Sequence, residues 1–204
     1  KDVCKIVRTT CSYFDQSALE QHIRIETDIP DEPIIIPCAE DVISTIISNL
    51  LSNAVKYGDG QIKLVLKKEE DKVVIRVDSN GKLIPADESE NIFKIFYQLE
   101  NESTIQKSNG TGLGLPYARS MARLHNGNLY LDTAVRDCNS FVFELPLTQP
   151  EQVELQQQEE APGLAVEKKE EWSNSRHTAL VVEDDSQMRS YIGNELSDQY
   201  NILL

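Results

Sequence analysis

Residues 40–57 read EDVISTIISNLLSNAVKY, and this stretch decides the fold class. Val42, Ile43, Ile46, Ile47, Leu50, Leu51, Ala54 and Val55 recur at the three-and-four spacing of one buried helical face, and Gly58 ends the run as a C-terminal cap would. Beside that stripe Asn49 and Asn53 stand four residues apart, with Lys56 and Tyr57 one turn further on. A carboxamide oxygen is a hard ligand suited to Mg²⁺, and a lysine offers a point charge to phosphate. On this helix alone, local capping by Asn49 and plain solvation of Lys56 explain the same residues equally well.

Upstream, IRIETDI at 23–29 alternates, and prolines 33 and 37 enclose an isoleucine run, so two strands are expected before a first helix that starts near Glu40. Downstream, strands are expected at 61–68 and 72–77, a second helix from the glycines at 110, 112 and 114 to about His125, and a closing hairpin at 128–133 and 140–145. Helices alternating with hairpins imply a helix layer over one face of a mixed sheet, an α/β sandwich. The turn NGTGLGL at 109–115 would let backbone amides and a helix N-terminus approach a phosphate chain. It lacks the Lys-Ser/Thr ending of a P-loop and follows no clear parallel strand, so neither common glycine-rich reading applies.

Across 204 residues, 34 acidic side chains outnumber 20 basic ones for a net charge of −14, a field that repels nucleic acid and anionic lipid. No apolar run approaches membrane-spanning length and no leader pattern opens the sequence, so a soluble, cytoplasmic chain without direct membrane contact is expected, its parent's membrane attachment left open. Cys4, Cys11, Cys38 and Cys138 have no metal-ligand spacing and read as reduced thiols, and His22, His125 and His177 are too dispersed to suggest a catalytic base. Composition turns polar, Gln-rich and acidic after Pro146, which marks 148–176 as a linker.

The motifs NLLSNAVKY at 49–57, DSNGKLIP at 78–85, IFKIFYQ at 92–98 and GTGLGLPYARSMARLHNGNL at 110–129 stand in an order that resembles the ATP-binding domain of sensor histidine kinases. The resemblance covers about residues 23–147 and includes the closing SFVFELPL. It implies the Bergerat α/β sandwich over 1–147, with helices on one face of a mixed sheet, and ATP and Mg²⁺ as cofactors. It further implies Mg²⁺ at Asn53, phosphate contacts from Asn49 and Lys56, and Tyr57 bordering adenine. Asp78, Ser79, Gly81, Phe96, Gly110, Thr111, Gly112, Leu113 and Gly114 fall in the remaining nucleotide-binding motifs. IFKIFYQ resembles the family's phenylalanine motif, and 99–109 the lid that closes over ATP.

Two departures bear on function. The family's adenine-reading Asp is Ser79 here and the second glycine of that motif is Leu83, with Asp78 a substitute only if strand alternation were overcome. Gyrase and Hsp90-type relatives carry a glutamate general base where this chain has Asn49; an amide cannot take a proton from water, so phosphoryl transfer is favoured over hydrolysis. The resemblance puts the phosphoacceptor histidine on a separate helical dimerisation domain, and no histidine here stands in an HExxP or HDxxTP sequence. Residues 177–204, HTALVVEDDSQMRSYIGNELSDQYNILL, resemble the opening of a response-regulator receiver domain, whose paired acids, here Glu183 and Asp184, hold Mg²⁺ in an intact receiver. So short a piece is expected to be disordered or packed onto something else. The expectation is therefore the catalytic domain of a hybrid two-component histidine kinase, monomeric as given, that works with its own dimerisation and receiver domains. Its rival is a degenerate module that signals by contacts without nucleotide turnover.

Overall fold

The computed structural model describes residues 1–99, 111–148 and 176–204. The chain divides into two units, Lys1–Pro150 and Glu151–Leu204. The elements of the first are α1 (Val3–Ser12), α2 (Asp15–Glu20), β1 (Arg24–Asp28), α3 (Glu40–Tyr57), β2 (Gly58–Lys68) and β3 (Lys72–Gly81). After two single-turn 3₁₀ helices (Ala86–Glu88 and Asn91–Phe93) come α4 (Gly114–Leu124), β4 (Asn128–Leu131) and β5 (Asn139–Pro146).

The five strands form one sheet in the order β1-β2-β3-β5-β4. The β1–β2 pair is parallel and the other pairs are antiparallel, so the sheet is mixed, as the alternation of helices with hairpins implies. Pleating sends Val73, Ile75, Val77 and Ser79 of β3 to a buried face, while Lys72, Val74, Arg76 and Asp78 turn the other way. Over the buried face lie α3 and α4 side by side, with α1 against α3. All eight stripe residues of α3 are buried there. Glu40 and Asp41 in its first turn and Lys56 in its last complement the helix dipole. The result is a two-layer sandwich with helices on one face.

Two local expectations fail for identifiable reasons. Prolines 33 and 37 have no amide donor of their own, so no ladder extends past either end of the isoleucine run. That segment makes only an isolated bridge, Asp2 to Ile35, with Val3 N–H on Ile34 O and Ile36 N–H on Lys1 O. The first helix begins at Val3 and not near Glu40; its buried Val3, Cys4, Ile6, Val7, Thr10 and Cys11 carry a helical period, and Asp2 caps it by accepting from Cys4 N–H at 3.0 Å. Gly58 caps α3 as expected, its N–H donating to Ala54 O, with an extended backbone through which the chain passes straight from α3 into β2.

The second unit contains β6 (Thr178–Leu180), α5 (Ser186–Leu196) and β7 (Asn201–Leu203), with β6 and β7 parallel. Residues 177–204 are therefore ordered as strand, helix and strand, contrary to the expectation from their length. The crossover helix lets two strands satisfy each other's backbone groups, and Val181 and Ile192 are buried. Asp185 caps α5, its carboxylate accepting from Met188 N–H at 2.9 Å. The proposed linker lies almost wholly outside the described residues. No described helix is long and apolar enough to cross a membrane.

Because Leu51 is fully buried at the centre of the α3 stripe, Leu51→Ala is expected to lower the unfolding free energy of the first unit by about 3 kcal/mol. Urea denaturation followed by circular dichroism would register this as a lower midpoint at unchanged slope.

Candidate functional site

A joint between two glycines sets the geometry. Gly58 and Gly81 are register partners across β2 and β3, and Gly81 holds φ at +133°. A Cβ on Gly81 would stand 2.6 Å from the Tyr57 carbonyl, and one on Gly58 would stand 2.2 Å from the Ala54 carbonyl. Only bare backbone lets the end of β3 close on the C-terminus of α3. Gly81 therefore serves the site as a spacer behind it.

In front of that joint lies a cavity of about 460 Å³. Asn49, Asn53, Lys56 and Tyr57 line it from α3, Ser79 from β3, and Asn139 and Phe141 from β5. Thr111, Gly112 and Gly114 close it at the start of α4, and Tyr97 and Ile92 from the segment before. Asn49 Nδ2 donates to Thr45 O at 3.0 Å, and a Cβ on Gly114 would lie 2.6 Å from Asn49 Oδ1, so the glycine admits the α4 N-terminus beside this amide. Lys56 Nζ stands 5.0 Å from the Tyr57 ring centre. Lys56 and Lys82 both reach the wall, and no Asp or Glu is among its described residues.

Several expected residues lie elsewhere. Asp78 is on the opposite face of the sheet, where it accepts the Ser140 hydroxyl at 2.6 Å, so it cannot stand in for the missing carboxylate at 79. Arg76 joins the same group by donating to Ser140 Oγ and to Asp132, both at 3.1 Å. Phe96 is exposed at φ +61° and does not line the cavity; its N–H donates to Gly112 O at 3.0 Å. Gly112, at φ +72°, lies so close that a Cβ would meet the Phe96 backbone at 2.8 Å. Leu113 precedes α4 without lining the cavity. Gly110 and nearly all of the expected lid lie outside the described residues. Glu183 and Asp184 belong to the second unit, and the described residues contain no group of three or more His, Cys, Asp or Glu that could hold a metal.

Other residues matter that the motifs did not reveal. Asn139 clamps the chain after β3, donating to Lys82 O at 2.9 Å and accepting from Ile84 N–H at 2.8 Å. Its role follows from its pairing with Ser79 across β3 and β5, a register no sequence motif encodes. Arg119 of α4 pairs with Glu90 at 2.8 Å and lies 4.5 Å over the Phe93 ring, which in turn meets Phe141 edge-on. Glu88 accepts from the Tyr97 hydroxyl and from Asn91 Nδ2, and these bonds hold its carboxyl below the usual glutamate range.

The family described as histidine kinase-, DNA gyrase B- and HSP90-like ATPase matches residues 38–149. Sensor histidine kinase WalK of Bacillus subtilis is 30% identical over 148 residues, 70% of this chain and 24% of that protein. The adaptive-response sensory kinase SasA of Synechocystis is 31% identical over 149 residues, 72% of this chain and 37% of that protein. This chain thus spans well under half the length of either curated relative. Among solved structures, the nucleotide-free catalytic domain of histidine kinase ThkA aligns with a TM-score of 0.63 at 21% identity, covering 74% of this chain and 97% of that one. The shared architecture is the Bergerat-type sandwich.

Tyr97→Phe removes the main donor to Glu88 and is expected to move that carboxyl's titration up toward the ordinary value of about 4.3, read by carboxyl NMR. A depressed native value adds stability above the unfolded value, and that stability is lost as pH falls through the native one. The variant should accordingly lose less stability than the wild type on acidification from neutrality.

Proposed function

The chain belongs to the histidine kinase-, DNA gyrase B- and HSP90-like ATPase family, and we propose that within it this is the ATP-binding catalytic domain of a hybrid two-component sensor histidine kinase. Its reaction is transfer of the ATP γ-phosphoryl group to a histidine on a separate dimerisation domain, in signal transduction. The observation that carries this reading is one cavity whose helix wall brings Asn49, Asn53 and Lys56 opposite the glycines that open α4. Lys56 and the amides at the start of α4 bind the phosphate chain, where the helix dipole adds to the attraction. Tyr57 borders the base.

The donors in the cavity fit Mg²⁺ held chiefly by nucleotide phosphates: carboxamide oxygens of Asn53 and Asn49 are hard ligands, and water completes such a shell. When bound, the ion neutralises charge on the transferring phosphoryl group. Asn49 orients groups at the phosphates without accepting a proton, which favours transfer to histidine over hydrolysis. The strand-helix-strand order of the second unit, with Glu183 and Asp184 after its first strand, supports reading 177–204 as the start of a receiver domain joined by a linker at 148–176. Partners are then the protein's own dimerisation and receiver domains, at a cytoplasmic location, and the chain as given is monomeric.

A second reading, a module that signals by contacts without turnover, is favoured by Ser79 and Leu83 in the motif that reads adenine in the family. Calorimetric titration of the purified chain with ATP and Mg²⁺ separates the two. Micromolar binding that Asn53→Ala weakens by ~10-fold, about 1.4 kcal/mol, is the expected result. A folded sample that binds no ATP at millimolar concentration would overturn the kinase reading in favour of the module. In a longer protein that includes the dimerisation domain, Asn53→Ala is expected to abolish autophosphorylation, and an unchanged level would refute the metal assignment.

A further inference from the structure

The cavity has two chemically different sides. Lys56, Asn49 and Asn53 project from α3 and suit an anionic chain. The sheet side presents Ser79, Asn139 and Phe141, with Asn139 and Phe141 on one face of β5, and Lys82 and Ile84 join it from the segment after β3. Ser79 is only 6% exposed, so its hydroxyl opens into a confined space and not into bulk water. Asn139, the polar neighbour paired with it, has both ends of its carboxamide engaged, by Lys82 O and Ile84 N–H. Of the two polar strand residues on this side, Ser79 is thus the uncommitted one.

We propose that Ser79 lets the site accept a purine without discriminating its 6-substituent, so that 6-oxo purine triphosphates, those of inosine and guanosine, bind about as well as ATP. This rests on the nucleotide reading above. A carboxylate at this position only accepts hydrogen bonds: it would favour a 6-amino group and repel a 6-oxo group. A hydroxyl carries one donor and two acceptor lone pairs and rotates to suit, accepting from an amine or donating to a carbonyl. The usual source of discrimination, leaving a buried partner unpaired, does not arise for either base. The described wall contains no Asp or Glu that would restore the preference, and Asp78 faces away.

The test is competitive titration of the wild-type chain with ATP, ITP and GTP in excess Mg²⁺; ITP differs from ATP only at the 6-position and isolates the effect. The expected dissociation constants for ATP and ITP agree within about threefold, whereas folded Ser79→Asp shifts their ratio by about tenfold or more toward ATP, since charge-assisted bonds are the strong ones. Ser79→Ala is expected to weaken both to a similar degree and leave the ratio unchanged. A wild-type preference for ATP over ITP of about tenfold or more would overturn the proposal while leaving the nucleotide site intact. An unchanged ratio in a Ser79→Asp protein that still binds ATP would also overturn it. If no triphosphate binds, the nucleotide reading itself fails, and this inference with it. Should Ser79→Asp not fold, the wild-type ratio and Ser79→Ala decide.

Discussion

The arrangement turns on the contact between the backbone of Gly81 and the carbonyl of Tyr57. The last turn of α3 and the end of β3 meet with no side chain between them, and the polar flank of the helix therefore stands over the strand carrying Ser79. Any side chain at 81 would have to displace backbone, which has little room to yield inside a packed sandwich. Asn139 secures the next three residues from the neighbouring strand, so the turn out of β3 is held from two directions. The glycine contact supplies closeness and the asparagine supplies direction. The cavity wall is thereby set by one backbone contact and one side chain, Asn139.

Charge is distributed against the chain's overall sign. The sequence carries −14, yet the described cavity wall holds two lysines and no acid. The acids near the sheet are occupied on its other face, where Asp78 and Asp132 pair with Ser140 and Arg76, and Glu144 pairs with Lys72 at 2.9 Å. Such partly exposed pairs add little stability individually. Their larger effect is to hold carboxylates across the sheet from the cavity, so that the cavity keeps a local potential opposite to that of the surface around it.

Much of this was legible in the sequence, unevenly. The α3 stripe was clear because eight apolar residues keep one period and nothing interrupts them. The N-terminal helix is harder to read although Val3, Ile6, Val7 and Thr10 keep the same period, because threonines and cysteines dilute its hydrophobic contrast. Isoleucines 34–36 imitated a strand, and the flanking prolines, which carry no amide donor, were read only as its boundaries. At the site, Asn49, Asn53, Lys56 and Tyr57 come together because a single helix carries them, while the contribution of Asn139 depends on a cross-strand register some sixty residues away in sequence. Phe96 shows the converse: a motif fixed its neighbourhood, but the backbone at φ +61° turned its ring outward and left Tyr97 facing the cavity.

The hydrogen bond from Phe96 to Gly112 has a consequence for how this region can change over evolution. It brings two residues of positive φ, Phe96 and Gly112, back to back at one point. Tyr97, Gln98, Leu99 and Thr111, which stand just inside that closure, line the cavity, so the closure point also fixes part of the cavity wall. A single side chain added at Gly112 would thus disturb the closure and the cavity wall together. Relatives can be expected to keep the closure point.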